Sequence, residues 1–230
     1  MFQDKTWWIT GASSGIGAAL AEALSAQGAS LILSGRNIAA LEQLAARIKT
    51  KTLILPFEAA DTEALEKVVA KAWAFAPVYG LVNNAGISQR SLAAETGFEV
   101  YQRVIAVDLM GPIALTQLVL PRMIEAGGGH IVAISSIAGI IGAPLRSAYS
   151  AAKAGIMAYH DSLRAETAHQ GVKVLVVAPG SVRTNVSRNA LDASGKARGF
   201  SDSAIDNGMP AETAASRIVA ALRDGVRELI

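Results

Sequence analysis

The sequence Thr10-Gly11-Ala12-Ser13-Ser14-Gly15-Ile16-Gly17 stands between an apolar segment and a segment with helical periodicity. A chain that passes from strand to helix here must turn sharply, and glycines permit the backbone angles of such a turn. They also let a phosphate approach the backbone N–H groups at the helix N-terminus. A glycine cluster alone indicates only a tight turn, but its place after a first strand favours a dinucleotide site. The candidate binding residues of this glycine turn are Gly11, Ser13, Ser14, Gly15, Ile16 and Gly17.

Outward from this turn, short apolar runs alternate with longer segments whose apolar residues recur every three or four positions. The alternation predicts repeated βα units and a parallel sheet covered on both faces. The predicted strands are Trp7–Thr10, Leu31–Ser34, Leu53–Phe57, Leu81–Asn83, His130–Ser135, Lys173–Ala178 and Glu228–Ile230. The predicted helices are Gly15–Ala26, Ala39–Ile48, Thr62–Phe75, Phe98–Glu125, Ser147–Gln170 and Ala211–Arg223. The fold class is therefore α/β: one Rossmann-type, doubly wound parallel sheet of about seven strands in a single domain, 1–230.

Two places depart from this regular pattern. Pro112 removes a backbone donor within the longest predicted helix and should bend it. The stretch Ser181–Met209 has no clear period and is rich in Ser, Asn, Asp and Gly. Because loops this long in a compact domain are usually either functional lids or disordered segments, and we favour the first, we predict that residues 185–209 form a substrate lid.

The composition limits the possible functions. Of 230 residues, 51% are apolar, 17% are charged and none is Cys, which indicates a globular protein without disulfides, thiolate metal sites or cysteine nucleophiles. The net charge of +2 gives no case for nucleic acid as a partner. We predict no metal site, because the three histidines form no spaced cluster. With no visible export signal and no run of about 18 apolar residues, we expect a cytoplasmic protein without a membrane partner.

The end of the second predicted strand bears on the choice of nucleotide. In dinucleotide sites an acidic residue here accepts hydrogen bonds from the adenosine ribose, whereas an arginine accommodates a 2′-phosphate. This chain has Gly35, Arg36 and Asn37 at that place and no carboxylate. The pattern predicts NADP(H) in preference to NAD(H), with Arg36 and Asn37 in the site. The alternative is an exposed arginine at a helix start.

Three further motifs follow later strands: Asn83-Asn84-Ala85-Gly86, Ser135-Ser136 and Tyr149-Ser150-Ala151-Ala152-Lys153. Together with the glycine turn and with Pro179-Gly180 and Thr184, they make the chain resemble the short-chain dehydrogenases/reductases over essentially its whole length. Within that family, 144–149 and 184–190 are most similar to the branch of the dehydrogenase/reductase member 7 proteins. The resemblance implies an oxidoreductase that acts on carbonyl compounds or alcohols.

The spacing of Tyr149 and Lys153 has a chemical reading of its own. Residues four apart on a helix share one face, so a cation lies beside a phenol. A phenol ordinarily titrates near pH 10, about three units above neutrality, and a nearby cation favours the phenolate. We predict that Tyr149 is the general acid or base, that Lys153 assists it, and that Ser136 hydrogen-bonds the substrate oxygen. Taken singly, each residue has a structural explanation: a turn serine, a half-buried tyrosine and a solvated lysine.

The resemblance assigns further cofactor contacts and shows two departures. It implies that Lys153 also bonds the nicotinamide ribose and that the remaining cofactor contacts come from Glu58, Ala59, Asn84, Ala85, Gly86, Pro179, Gly180, Val182 and Thr184. Glu58 stands where the family usually has Asp, beside the adenine. Asp108 stands where the family usually has the Asn of its catalytic set, so we predict reduced or pH-shifted activity rather than an inactive fold.

Two classes of function remain open. The first is an NADP(H)-dependent oxidoreductase, and the second is a non-catalytic NADP(H)-binding regulatory protein on the same fold. A methyltransferase is disfavoured, because such proteins usually present an acid to the ribose where this chain has Arg36. For the substrate we expect a small carbonyl compound or alcohol of apolar character, because a set of apolar residues falls in the predicted substrate loops. These residues are Ile140, Ile141, Leu145, Phe200 and Met209.

The family resemblance also implies an assembly. In the family, the helices that correspond to Phe98–Glu125 and Ser147–Gln170 pack against their copies in a second subunit. We therefore expect a homodimer. We expect a tetramer less, because the sequence ends at Ile230, soon after the last predicted strand begins.

Overall fold

The computed structural model describes residues 1–230 and contains one seven-stranded parallel sheet. The strands are β1 (Thr6–Ile9), β2 (Ser30–Leu33), β3 (Thr52–Ile54), β4 (Val78–Asn83), β5 (Gly129–Ile134), β6 (Val172–Val177) and β7 (Glu228–Leu229). Their order is β3-β2-β1-β4-β5-β6-β7, which confirms the predicted doubly wound sheet. The order reverses between β1 and β4, and a crevice opens at the carboxyl ends of strands at such a reversal.

Helices cover both faces of this sheet. They are α1 (Gly15–Ala26), α2 (Ile38–Arg47), α3 (Leu65–Phe75), α4 (Phe98–Ile105), α5 (Gly111–Glu125), α6 (Ser147–Thr167), α7 (Ser203–Asp206) and α8 (Ala211–Asp224). One apolar core joins the sheet to α1, α2 and α8, and a second joins its other face to α3, α5 and α6. Because both faces are buried, the strands have no polar alternation.

Two strand boundaries differ from the prediction for identifiable reasons. β3 ends at Ile54 rather than Phe57, and Pro56, which follows, cannot donate to a strand ladder. β4 begins at Val78, three residues before its predicted start. Gly80 interrupts the apolar pattern there because the Trp7 ring occupies the space that a Cβ at this position would fill.

The longest predicted helix is divided into two. A π-helical turn, Ala106–Met110, separates α4 from α5, and Pro112 falls in the first turn of α5, where its missing N–H is tolerated. The irregular turn therefore precedes Pro112, and Asp108 lies within it. Taken as one run, Phe98–Glu125 is long and apolar enough to cross a membrane, a test that the core helix of a soluble protein also passes. Its inner side packs into the core beneath the sheet.

The segment 181–209 has more structure than its sequence suggests. It contains the short helix α7, and isolated bridges join Val182 to Met209 and Gln89 to Leu191. Ser187 and Ala190 are completely buried within it. The segment is therefore anchored to the body of the protein at several points.

Candidate active site

The carboxyl ends of the strands open into one cleft of about 850 Å³. This volume falls within the range of roughly 300–1,000 Å³ that is usual for ligand sites. With one exception, every residue that sequence reasoning assigned to catalysis or to cofactor binding lines this cleft: Gly11, Ser13, Ser14, Gly15, Ile16, Arg36, Asn37, Glu58, Ala59, Asn84, Ala85, Gly86, Asp108, Ser136, Tyr149, Lys153, Pro179, Gly180, Val182 and Thr184. The exception is Gly17, which lies behind the turn, where a Cβ would collide with the carbonyl oxygen of Gly11.

The glycine turn is held in place from the neighbouring strand. Gly11 and Gly15 have φ of +64° and +58°, which favour glycine. Asn84 Nδ2 donates to the carbonyl oxygens of Thr10 and Gly11, at 2.9 and 3.1 Å. The side-chain amide of Asn84, a residue that the resemblance assigns to the cofactor, is therefore engaged in holding the turn, although Asn84 also lines the cleft.

The start of α1 fits a diphosphate. The N-cap residue Ser14 makes no side-chain hydrogen bond to the helix, and the first turn contains no acidic residue. The first N–H groups of a helix have no partner within it, and they attract anions. A Cβ at Gly15 would come within 2.9 Å of Thr184 Cγ2, so this glycine keeps the opening clear. The residues present thus match the phosphate groups of a nicotinamide dinucleotide.

The side chains after β2 form a more exposed corner of the cleft. Arg36 Nη1 lies 3.5 Å from Glu58 Oε2, and both side chains are largely open to solvent. Asn37 caps α2, its Oδ1 accepting a hydrogen bond from Ala40 N at 3.1 Å. Arg36 therefore has a weakly held guanidinium at the position that sequence reasoning assigned to a 2′-phosphate.

A buried ion pair lies at the opposite end of the cleft. Lys153 Nζ lies 3.1 Å from Asp108 Oδ2 and donates to the Ile134 carbonyl oxygen at 3.0 Å. Asp108 Oδ1 accepts a hydrogen bond from Ile87 N at 2.8 Å. Gly86 permits this arrangement, because a Cβ there would come within 2.8 Å of Asp108 Oδ2. The lysine is thereby held rigidly, with its charge compensated.

Burial and charge shift the titration of this pair. Burial raises the pKa of Asp108, and the Lys153 ammonium and the Ile87 N–H oppose that rise. Burial by itself lowers the pKa of Lys153, but Asp108 and Tyr149 outweigh it, so that the pKa of Lys153 is raised. Lys153 is therefore an ammonium at neutral pH.

Tyr149 and Ser136 complete this end of the site. Lys153 Nζ lies 5.6 Å from the centroid of the half-buried Tyr149 ring. Ser136 begins a short 3₁₀ turn, and its Oγ accepts a hydrogen bond from Ala138 N at 3.2 Å. Ser135 Oγ donates to the Lys153 carbonyl oxygen at 2.9 Å, which ties α6 to the end of β5. A phenol, a hydroxyl and an ammonium thus line the same part of the cleft.

The comparison with protein families agrees with this arrangement. The model of the short chain dehydrogenase family matches residues 5–194 of this sequence. The chain belongs to the short-chain dehydrogenase/reductase family. Members of this family are oxidoreductases whose fold binds a nicotinamide cofactor, so this dehydrogenase/reductase has the fold for a nicotinamide dinucleotide in the cleft.

Curated relatives place the chain near one branch of the family. It is 40% identical over 218 residues to mouse dehydrogenase/reductase SDR family member 7B, covering 91% of this chain and 68% of that protein. It is 42% identical over 199 residues to human dehydrogenase/reductase SDR family member 7, covering 82% of this chain and 58% of that protein. These similarities confirm the branch that the sequence motifs indicated.

Solved structures show the same fold. A short-chain dehydrogenase from Streptomyces avermitilis superposes with a TM-score of 0.83 at 33% identity, over 96% of this chain and 84% of that one. A short-chain dehydrogenase from Sphingobium yanoikuyae in complex with NADPH superposes with a TM-score of 0.87 at 27% identity, over 98% and 87% of the two chains.

The cleft of this dehydrogenase/reductase also contains arginines, two of which, Arg90 and Arg103, received no individual role from sequence reasoning. Arg90, Arg103 and Arg146 line it, whereas the five apolar residues expected to form a substrate wall do not. Arg90 Nε lies 2.8 Å from Asp202 Oδ2, although 112 positions separate the two residues. No local pattern signals a contact over that separation. For Arg146, which stands three residues before Tyr149, the sequence allowed two roles, at the start of a helix or at the entrance of the site, and the structure places it in the cleft lining.

Proposed function

We propose that this chain is an NADP(H)-dependent oxidoreductase that transfers a hydride between the nicotinamide and a carbonyl compound or secondary alcohol. One observation carries the proposal: Ser136, Tyr149 and Lys153 line the same cleft as the glycine turn. Each of these residues has a structural explanation by itself. Their convergence beside a phosphate-binding turn fits catalysis on a bound dinucleotide.

Three side chains have separate roles in the proposed reaction. The Ser136 hydroxyl oxygen already accepts from Ala138 N, so its proton is free to be donated to the substrate oxygen. Tyr149 gives its proton to that oxygen in reduction and takes it back in oxidation. The Lys153 ammonium, held by Asp108 and Ile134, places a fixed positive charge beside the Tyr149 ring. When bound, the nicotinamide supplies or accepts the hydride.

The preference for NADP(H) rests on Arg36. A guanidinium binds phosphate strongly, and the exposed Glu58 carboxylate holds Arg36 only at 3.5 Å. A 2′-phosphate can therefore replace Glu58 as the partner of Arg36. Among the structural neighbours, the Sphingobium yanoikuyae enzyme was solved with NADPH. A short-chain dehydrogenase/reductase from Burkholderia phymatum, 21% identical, was solved with NAD and supports the fold alone.

The remaining parts of the proposal concern substrate and assembly. Ile137, Val186 and Ile205 line the cleft, which suits a substrate with an apolar part. We propose residues 185–209 as the cover of that part, a cytoplasmic location and a homodimer. For the dimer, α4 and the π-helical turn expose two large apolar side chains, Phe98 and Met110. Light scattering after size exclusion tests the assembly, and a monomer or a stable tetramer would contradict it.

The function is tested by binding and turnover together. Calorimetry with NADPH and NADH should show tighter binding of NADPH, and a panel of ketones, aldehydes and quinones should include compounds that the NADPH-loaded protein reduces. Equal affinity for both nucleotides would overturn the NADP(H) preference. Binding without turnover of any panel member would replace the enzyme with the regulatory alternative.

A further inference from the structure

We propose that the substrate of this site carries an oxyanion, a carboxylate or a phosphate, and that Arg146 with Arg90 behind it binds that group. This inference rests on the proposed function and specifies its substrate class. It adds a charged group to the apolar part inferred above.

An excess of positive charge lies beside the catalytic residues. Arg90, Arg146 and Arg198 surround one carboxylate, that of Asp202, at N–O distances of 2.8, 3.9 and 3.0 Å. No other carboxylate lies within 4 Å of these three guanidinium groups. Arg90 is almost completely buried, with 6% of its side chain exposed. Buried charges are normally paired, so the cluster can accept a second anion.

Hydrogen-bond donors of this cluster also lack acceptors. Arg90 uses Nε for Asp202 and Nη1 for Ser88 Oγ and the Gln89 carbonyl oxygen, and its Nη2 has no partner. The Arg146 side chain makes no hydrogen bond, although three quarters of it is covered. Both arginines line the cleft. A guanidinium with free donors matches the two oxygens of a carboxylate or phosphate.

The cluster lies at the catalytic end of the cleft. Ser91 N donates to the Leu145 carbonyl oxygen at 3.1 Å, which brings the segments of Arg90 and Arg146 side by side just before α6. Arg90, Arg146 and Tyr149 all line the cleft, and Arg146 precedes Tyr149 by three residues at the start of α6. By contrast, Arg36 follows β2 and pairs with Glu58. The anion bound here is therefore part of the substrate rather than the 2′-phosphate.

The backbone beside Arg146 supports a functional placement. Leu145 has a backbone φ of +64°, a conformation that residues other than glycine rarely adopt. Strain of this kind collects at binding and catalytic sites, where it fixes a neighbouring side chain. Here the strained residue, Leu145, immediately precedes Arg146, which lies three residues before Tyr149.

The test compares acids with their neutral esters. A keto acid and its methyl ester, and a keto phosphonate and its dimethyl ester, serve as substrates for the wild type, Arg146→Met and Arg146→Lys. We expect the wild type to prefer the charged member of at least one pair. Arg146→Met should lower kcat/KM for that member by about 10- to 100-fold and leave the ester within about 2-fold. Arg146→Lys should retain part of the preference, and the preferred pair distinguishes carboxylate from phosphate.

Arg198→Met is the matched control. Arg198 contacts the same Asp202 carboxylate and lies over the Phe200 ring, but it does not line the cleft. Its substitution removes the same charge and should preserve the preference for the acid. Equal use of both acids and their esters by the wild type would overturn the anion site. A loss of preference as large in Arg198→Met as in Arg146→Met would do the same.

Calorimetry separates this inference from the proposed function. The keto acid and the keto phosphonate are titrated into NADPH-loaded protein, whether or not turnover follows. At least tenfold weaker binding of one of them to Arg146→Met supports the anion site, and unchanged binding of both overturns it. Absence of turnover with normal binding would contradict the proposed function alone.

Discussion

The two ends of the cleft are built in different ways. At the nucleotide end, the ligand-facing surface is mostly backbone: the glycine turn, the start of α1 and an exposed Arg36–Glu58 pair. At the catalytic end, side chains carry the chemistry, and the charges of Lys153, Asp108 and Arg90 are buried. Exposed charges are screened by water, whereas buried charges depend on their partners. Single substitutions should therefore have small effects at the first end and large effects at the second.

The largest effect is expected from Tyr149→Phe. The variant loses the proton that reduction requires, so kcat should fall by about 10²- to 10⁴-fold, the usual contribution of general acid–base catalysis. Steady-state oxidation of NADPH with a reducible ketone measures this loss. Calorimetry should show that NADPH binds with unchanged affinity. Turnover at the wild-type rate would remove Tyr149 from the mechanism.

Asp108→Asn probes the buried pair at the same end. Breaking such a pair costs about 3–5 kcal/mol of unfolding free energy. The Asp108 carboxylate raises the pKa of Lys153, so its loss lowers that pKa and should move the alkaline limb of the pH–rate profile to lower pH. In the wild type, the contribution of Lys153 to stability is present below about pH 10.4 and is lost as pH rises through its raised pKa.

Urea unfolding and pH–rate profiles check both parts of this expectation. Asp161→Asn is the control, because Asp161 pairs with Arg164 at the surface, with 47% of its side chain exposed. It should cost no more than about 1 kcal/mol and should leave the profile unchanged. Identical profiles for the wild type and Asp108→Asn would show that the carboxylate does not tune Lys153.

Arg36→Met tests the nucleotide end. Loss of a charge-assisted hydrogen bond to the 2′-phosphate should weaken NADPH binding by about 10- to 100-fold, whereas NADH, which lacks that phosphate, should bind as before. Fluorescence titration of both reduced nucleotides measures the ratio. An equal loss of affinity for both nucleotides would mean that Arg36 contributes to the shape of the site without binding the 2′-phosphate.

The smallest effect is expected from Glu58→Gln. This exposed carboxylate competes with the 2′-phosphate for Arg36, and an exposed pair contributes at most about 1 kcal/mol. NADPH should therefore bind up to about 5-fold more tightly, with little change for NADH. Weaker binding of NADPH would instead mean that the contact of Glu58 with the adenine, which the family resemblance implies, outweighs its competition for Arg36.

Sequence reasoning succeeded where the signal is local. The glycine turn and the Tyr149–Lys153 spacing are set by neighbouring residues, so the doubly wound sheet and the residues that line both ends of the cleft could be predicted. The engagement of Asn84 with the glycine turn and the pairing of Arg90 with Asp202 join residues 74 and 112 positions apart. Such contacts are products of the folded topology. The π-helical turn around Asp108 was not predicted for a different reason: its apolar residues continue the helical spacing of α4 and α5.

A crystal structure of the protein with NADPH bound tests the central claim most directly. We expect the 2′-phosphate beside Arg36, the diphosphate over the start of α1 and the nicotinamide ring beside Tyr149 and Ser136, with Lys153 within hydrogen-bond distance of its ribose. A nicotinamide ring bound away from Tyr149, or a nucleotide bound outside this cleft, would contradict the account.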